Sequence, residues 1–387
     1  MPTYKVPITP AVLGWAMRES GYTAASLAQG LKISPETIAD WLDERSKPSL
    51  TQFRRLAAAL KRPPATFLLP NPPASPAIQV QFRRPANAAR TELLTRERHA
   101  IREAKRLQET ISWILSELHE EPPQLPQHAI TEQVEEVAPA IRQLVTGSLN
   151  GSFGSDWESP SNAFDDWRNA VEETGVLVFQ LSLGKQAVGG FSLWDEYAPV
   201  IAVNTAWNTG ARIFSLFHEF GHLLTRTSSA CLDARGRSLS ANHDPTERWC
   251  ERLAAAVLIP RVSLTQFLAE HLNWHVNERI VHLKNAKRIA NHFKVSLRSS
   301  VLRLIELGLA SWSLYEEIPP YSDNKPKGGG GGGRVRGEIR EDQYGDRTIK
   351  LFGRALHEDI LGRSEVMDYL DVPDSYLDRI QQRQTSD

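Results

Sequence analysis

The stretch ARIFSLFHEFGHLLTR, residues 211–226, sets His218 and His222 four positions apart, with Glu219 directly after the first. On a helix that spacing puts both imidazoles on one face, one turn apart. Two ring nitrogens so placed can close on a single zinc ion. Glu219 falls about 100° further round, where it flanks such an ion without ligating it and can take a proton from water. Zinc lowers the pKa of a bound water to roughly 7, which makes hydroxide available at neutral pH to attack a peptide carbonyl. Ile213, Phe214, Leu216, Phe217, Phe220 and Leu223 give the helix an apolar wrap. The competing reading is a core helix whose two histidines are satisfied by ordinary hydrogen bonds, since buried ring nitrogens need partners either way.

A catalytic zinc takes three protein ligands and keeps one position open. The downstream candidates are Asp233, His243, Asp244, Glu247 and Glu251. Glu247 and Glu251 begin TERWCERLAAAVLIP, a second helix that ends at Pro260 and turns Leu253, Ala254, Val257 and Leu258 inward. DPTE at its start also reads as a capping box, with Asp244 at the N-cap and Glu247 at N3. The residues alone therefore leave Glu247 between ligand and cap, with Glu251 the next choice. Cys250 reads as a core residue before a redox sensor. His271 and His275 repeat the four-residue spacing without the glutamate or the wrap, and a solvated helix or loop is expected there. One of them, or Tyr197, is a candidate for steadying an oxyanion.

These side chains need a scaffold. The chain has 387 residues, a formal net charge of −1 and 41% hydrophobic residues, which suits two or three folded domains with a real core. The two cysteines, Cys231 and Cys250, exclude a disulfide framework. The first residues lack the basic-then-apolar layout of a signal peptide, and LAAAVLI is too short an apolar run to cross a bilayer. The cytoplasm is the expected compartment, with no membrane partner. Residues 1–70 carry nine Lys/Arg against five Asp/Glu, and residues 83–106 eight against three, a local positive balance compatible with nucleic acid or with a solvated helical face.

The expected fold is α+β and mostly helical. Residues 1–73 read as a helix-turn-helix domain. AASLAQGL is followed by a helix with Ser34 as N-cap and Pro35 at its first position, then by SLTQFRRLAAALKRPP. Leu27, Ala28 and Leu31, then Ile38, Trp41 and Leu42, then Leu50, Phe53, Leu56 and Leu60 are the expected inward faces. Residues 74–124 form a connecting stretch with one long helix over 88–120, its stripe Leu107, Ile111, Ile114, Leu115 and Leu118. Residues 125–318 hold a mixed domain with strands at VLVFQLS, VGGFSL and PVIAVN and a helix closed by Gly175. Residues 319–335 are a Gly-rich linker by composition, and 336–387 a small helical C-terminal domain. No internal repeat is visible, and the ten tryptophans are too scattered for a base-stacking platform.

With these pieces in place, the chain resembles the ImmA/IrrE metallopeptidases in their long form, which carries an XRE-type helix-turn-helix ahead of a zincin-like peptidase domain. The resemblance runs from residue 10 to about 310. It rests on WLDERSKPSLTQFRRLAAALKRPPATFLLPNPP, QFRRP, WRNAVEETGVLVFQ, GFSLWDEYAPVIAVN, RIFSLFHEFGHLL and LAAAVLIP. It implies zinc held in a gluzincin-like way by His218, His222 and Glu247, the last being the glutamate 13 residues before the closing Pro260. Glu219 is then the general base. It also implies limited cuts in repressors that themselves carry helix-turn-helix folds, under DNA-damage, stress, mobile-element or toxin–antitoxin control. NAKRIANHFKVSLRSSVLRLIELGL, with Ser296 as N-cap, resembles the family's closing helix pair, a packing scaffold first and a repressor-docking surface second.

One feature cuts against a simple DNA reader. Glu36, Asp40, Asp43 and Glu44 make the recognition helix acidic, and phosphate repels such charge. Thr37, Arg45, Lys47, Arg54 and Arg55 remain as candidate DNA contacts within residues 10–62. Two functions compete: a zinc endopeptidase cutting a regulator, and a DNA-binding, antitoxin-like regulator that uses the peptidase fold as sensor or scaffold. Metal-dependent docking without cleavage is a third. Oligomeric state is not legible.

Overall fold

The computed structural model describes residues 4–73, 95–147, 153–154, 157–185, 187–227, 229–231, 244–272, 274–275, 278–319 and 335–384. These fall in two compact units, one of residues 4–73 with 95–103 and one from residue 104 onward.

The first unit is helical: α1 (Pro10–Ser20), α2 (Ala24–Leu31), α3 (Pro35–Leu42), α4 (Leu50–Leu60), a 3₁₀ turn over Pro64–Leu68, and the first turns of α5 (Thr95–Glu117). Its helix starts are written in the sequence. Thr23 accepts the Ser26 N–H, Ser34 accepts the Thr37 N–H with Pro35 at the first position, and Ser49 and Gln52 form a reciprocal capping box. Leu27, Ala28, Leu31, Ile38, Trp41, Phe53, Leu56 and Leu60 are buried as expected. Leu42 is only half-buried, and Leu50 is 42% exposed. Leu50 has the right periodicity, but it is the first residue of α4, where the apolar face runs out beyond the packed interior.

The second unit continues α5 and adds α6 (Val134–Thr146), α7 (Pro160–Glu173), β1 (Leu177–Leu181), β2 (Gly190–Leu193), β3 (Val200–Asn204), α8 (Thr209–Leu224) and β4 (Ser229–Cys231). There follow α9 (Pro245–Leu258), α10 (Arg261–Leu272), α11 (Leu283–His292), α12 (Leu297–Glu306), α13 (Trp312–Glu316), α14 (Arg336–Tyr344), α15 (Asp346–His357), α16 (Arg363–Leu370) and α17 (Asp374–Gln384). The sheet order is β1-β3-β2-β4. β1 runs parallel to β3, with Leu177 opposite Val200, and β2 runs antiparallel to both β3 and β4. The three longer strands lie where the sequence put them. β4 lies in the stretch from the third strand to about residue 317 whose pattern reads as helical, and corrects that reading; three residues are too few for a strand period to show.

α5 begins at Thr95, and residues 88–94 of the expected helix lie outside the described residues. The helix stops at Glu117, before His119 turns left-handed at φ 54°, so Leu118 is left half-buried past its end. Leu107, Ile111, Ile114 and Leu115 are buried. Buried Gln108 donates to the carbonyls of Leu193 (2.8 Å) and Ala198 (2.9 Å), pinning the β2–β3 turn. The core gathers Val178, Ile201 and Val203 of the sheet, Trp167 of α7, Ile213, Leu216, Phe217 and Phe220 of α8, and Leu253, Ala254 and Val257 of α9. Ser296 caps α12, as read. The C-terminal helices meet the sheet at β1: the Asp342 carbonyl accepts from Arg168 (2.8 Å) and Gln180 (3.1 Å), and Tyr344 meets Phe179 edge-on at 5.5 Å. Among the described residues no single helix is long and apolar enough to cross a membrane.

Candidate metal centre

α8 is held at its start by Asn208, whose side chain accepts the Ala211 N–H at 2.8 Å, and runs beneath the sheet with nearly every side chain from Ile213 on buried. His218 and His222 face the same way, and α9 brings Glu247 to them. His218 Nε2 lies 3.2 Å from Glu247 Oε2, His222 Nε2 lies 3.3 Å from Glu247 Oε1, and the two Nε2 atoms are 3.3 Å apart. The ligand atoms of these three residues all lie within 4.8 Å of one another. Hydrogen bonds between charged groups close to about 2.7–2.9 Å. The edge of a tetrahedral site with zinc–ligand bonds near 2.0–2.1 Å is about 3.4 Å. Each Glu247 oxygen thus faces one imidazole at 3.2–3.3 Å, longer than an optimised charged hydrogen bond, and with one donor atom from each residue within 4.8 Å of the others the three residues can converge on one cation. Two imidazoles and a carboxylate are the donor chemistry that zinc accepts.

The second ring nitrogen of His222 is set by Thr227, whose hydroxyl lies 3.0 Å from Nδ1. That contact fixes the ring so that Nε2 points at the triangle. Glu219 is buried at 1% exposure and passes over Gly190 of β2. A Cβ on Gly190 would come within 3.2 Å of Glu219 Cγ and 2.7 Å of the Ala202 carbonyl, so only glycine leaves the glutamate its place. Gly221 does the same for the helix pair: a Cβ there would meet Cys250 at 3.1–3.2 Å. Its bare backbone lets α9 approach α8 closely enough for Glu247, one turn before Cys250, to reach the histidines.

The electrostatics follow from that closeness. Burial pushes the His218 imidazolium down, but the hydrogen bond and charge of Glu247, with Glu219 and Glu251 adding, push it up to about 9. Burial pushes Glu247 up, yet its hydrogen bonds and charge pairing with His218 and His222 hold its carboxyl well below the usual carboxylate range. The carboxylate is thus ionised and aimed at the point where a cation would sit.

Of the other candidates, Asp244 is an N-cap, accepting the Thr246 N–H at 2.8 Å, while Glu247 turns away from the capping box that DPTE suggested. Glu251 is half-buried and adds charge from outside the triangle. Asp233 and His243 lie outside the described residues. Cys250 is buried core. His271 stacks on Phe267 at 4.6 Å in a separate group with His292, the His275 N–H is held by Glu278, and Tyr197 sits in the turn organised by Asp195. Thr227, Gly190 and Gly221 were not singled out from the sequence. For Gly221 a signal existed, since a glycine inside a helical pattern costs about 1 kcal/mol and usually has a packing reason.

The candidate DNA contacts are scattered. Thr37 sits in the Ser34 cap. Arg45 is paired with Asp40 at 2.9 Å and Asp43 at 3.0 Å, and Arg55 donates to the Leu31 carbonyl at the end of α2. Lys47 and Arg54 are exposed.

Comparison with known proteins agrees with this layout. A peptidase M78 family model, described as an IrrE N-terminal-like domain, matches residues 171–304, and a helix-turn-helix model matches residues 13–67. No curated protein matches the chain. Among solved structures, Bacillus thuringiensis PlcR in complex with the peptide PapR7 and DNA aligns over 97% of this chain and 96% of its own, at 11% identity and a TM-score of 0.15, too low to carry any structural argument. The two family matches lie in this order along one polypeptide, a helix-turn-helix domain followed by an IrrE N-terminal-like domain, which is similar to the layout of the ImmA/IrrE proteins in their long form.

Proposed function

We propose that this protein is a zinc-dependent endopeptidase that makes limited cuts in a regulatory protein of the helix-turn-helix repressor class, inside the cell, and so controls transcription. The observation that carries this reading is the triangle of His218, His222 and Glu247 with Glu219 buried beside it. Those three residues would hold zinc, which when bound acts as a Lewis acid toward water and the substrate carbonyl. Glu219, adjacent to His218 but outside the triangle, accepts a proton from water and returns it to the leaving amine, a role worth about 10²–10⁴ in rate. Thr227 keeps the His222 ring in register. The packed faces of α8 and α9 bury His218, Glu219 and His222, and the low dielectric there strengthens each of these interactions. Residues 13–67 supply a domain suited to bringing the peptidase to DNA or to a DNA-bound partner.

The test is N-terminal peptide profiling of cells expressing the wild type beside Glu219→Gln, with and without DNA damage. A new protein end present only with the wild type supports proteolysis and names the substrate. Identical profiles from two zinc-loaded proteins favour the second reading, which the helix-turn-helix match supports. In that reading the chain is a DNA-binding, antitoxin-like regulator whose operator binding survives Glu219→Gln.

A further inference from the structure

From Ile213 to Leu224 every residue of α8 is buried except one, Phe214. It lies four residues before His218 and eight before His222, so all three share a face. Its ring stacks on the His218 imidazole, with centroids 6.3 Å apart and planes 28° from parallel. From Ile213 onward the solvent-facing part of the helix is therefore this one aromatic ring, stacked on a residue of the proposed centre. The α11–α12 turn packs on the start of the same helix. A Cβ on Gly210, one turn before Phe214, would meet Val295 and Ser296 at 2.7–2.8 Å, so the α11–α12 turn packs directly on the start of α8. That turn carries Phe293 and Leu297, both also only partly buried. Phe214 packs on the core with its inner side and keeps the rest of its ring accessible, while Ile213, Leu216 and Phe217 are fully buried on the helix's other sides.

We propose that Phe214 is a specificity-determining residue, forming the wall against which an apolar substrate side chain next to the scissile bond is laid. This rests on the metal-centre reading above and goes beyond it, because it commits the substrate to a bulky apolar residue at the cut. A Lys, Asp or Glu there would lose its hydration against Phe214 without a partner. The flat ring accepts leucine or an aromatic side chain by burying its area, and discrimination by such a wall is typically 10- to 200-fold per group recognised.

The test uses full-length zinc-loaded protein and three small zinc-binding probes: glycine, leucine and phenylalanine hydroxamic acids. Dissociation constants are measured by calorimetry, so no substrate is required. For the wild type the leucine and phenylalanine compounds are expected to bind at least about 10-fold tighter than the glycine compound. Phe214→Ala is expected to bring the three within about 3-fold of one another, leaving glycine hydroxamate and zinc content unchanged. Phe214→Leu, which keeps an apolar side chain and guards against misfolding of the alanine variant, should retain most of the preference for leucine. Equal affinities in the wild type, or an undiminished preference in a zinc-loaded Phe214→Ala protein, overturn the proposal. Binding of none of the three to zinc-loaded wild type also overturns the proposal, whereas failure of the wild type to take up zinc overturns the metal centre itself, so the two failures are told apart by metal content.

Discussion

If the triangle holds zinc, stripping the metal should reverse the way the protein's stability depends on pH. In the triangle, Glu247 and its neighbours push His218 from 6.5 up to about 9. A group whose folded pKa lies above its unfolded one contributes stability that is complete below the unfolded value and is lost as pH rises through the folded value. The window here is pH 6.5 to 9, and the contribution at its acid end is about 3 kcal/mol. The depressed Glu247 carboxyl is the same interaction viewed from its partner and is not added. For a domain of some 150–250 residues, 1 kcal/mol moves Tm by about 2–4 °C, so the loss is about 6–12 °C. With zinc bound the sign is opposite, because the ligands must shed protons to bind and affinity therefore rises with pH over the same range. The assay is scanning calorimetry between pH 6 and 9.5 on chelator-stripped and zinc-loaded protein, with Glu247→Gln as the control that removes the charge holding His218 protonated. The stripped wild type should lose Tm across the window, the stripped Glu247→Gln protein should lose little, and the zinc-loaded wild type should not follow the stripped slope. A stripped wild type whose Tm tracks Glu247→Gln throughout would refute the electrostatic account of the triangle.

Other outcomes follow from the same geometry. Glu219→Gln should keep one zinc per chain and lower cleavage of the profiled substrate by about 10²–10⁴, read as metal content beside initial rate. Thr227→Val removes the oxygen that orients His222 and should weaken zinc about 10- to 100-fold in competition with a chromogenic chelator. Gly221→Ala gains about 1 kcal/mol of helix propensity, but its Cβ at 3.1–3.2 Å from Cys250 presses α9 outward. It should be no more stable than wild type in urea and should bind zinc more weakly. If residues 10–62 bind DNA, Arg45 and Arg55 are already engaged within the domain. Of the candidate contacts Lys47 and Arg54 remain, and these two would contribute about −2 per copy to the salt slope, which a titration of binding against log salt reads directly.

The sequence carried the site unevenly, for physical reasons. His218, Glu219 and His222 are legible because one helix fixes their spacing, and helix geometry is local. Glu247 is on a different helix, 29 residues after His218, and DPTE gave it an equally good local use as a cap. Only the packing of α9 on α8 decides which way the carboxylate turns, and that packing depends on Gly221, a residue without a side chain to announce itself. Thr227 is hidden for a similar reason, since a threonine just past a helix end is usually a turn residue. The strands at 177–181, 190–193 and 200–204 were visible as β-rich runs between breakers, whereas β4 has three residues and no period.

Charge misleads more than hydrophobicity here. The excess of Lys and Arg over residues 1–70 suggests a nucleic-acid surface, but a composition cannot say where a long side chain points. Arg45 folds back onto the acidic residues that made α3 look wrong for DNA, so the acid and the base of that stretch answer each other. Arg55 closes the carbonyl end of α2, the end that helix geometry leaves short of donors. Arg102 likewise donates to the Leu60 carbonyl at the end of α4, at 2.9 Å. Two of the basic residues that raise the charge of residues 1–70, with Arg102 from the later basic stretch, are thus fastening the helix-turn-helix domain together. A domain built this way needs either a second copy to gather enough phosphate contacts or a partner recognised by shape, and the salt slope distinguishes the two: a value near −4 reports two copies on DNA, while no salt-sensitive DNA binding leaves a protein surface as the target.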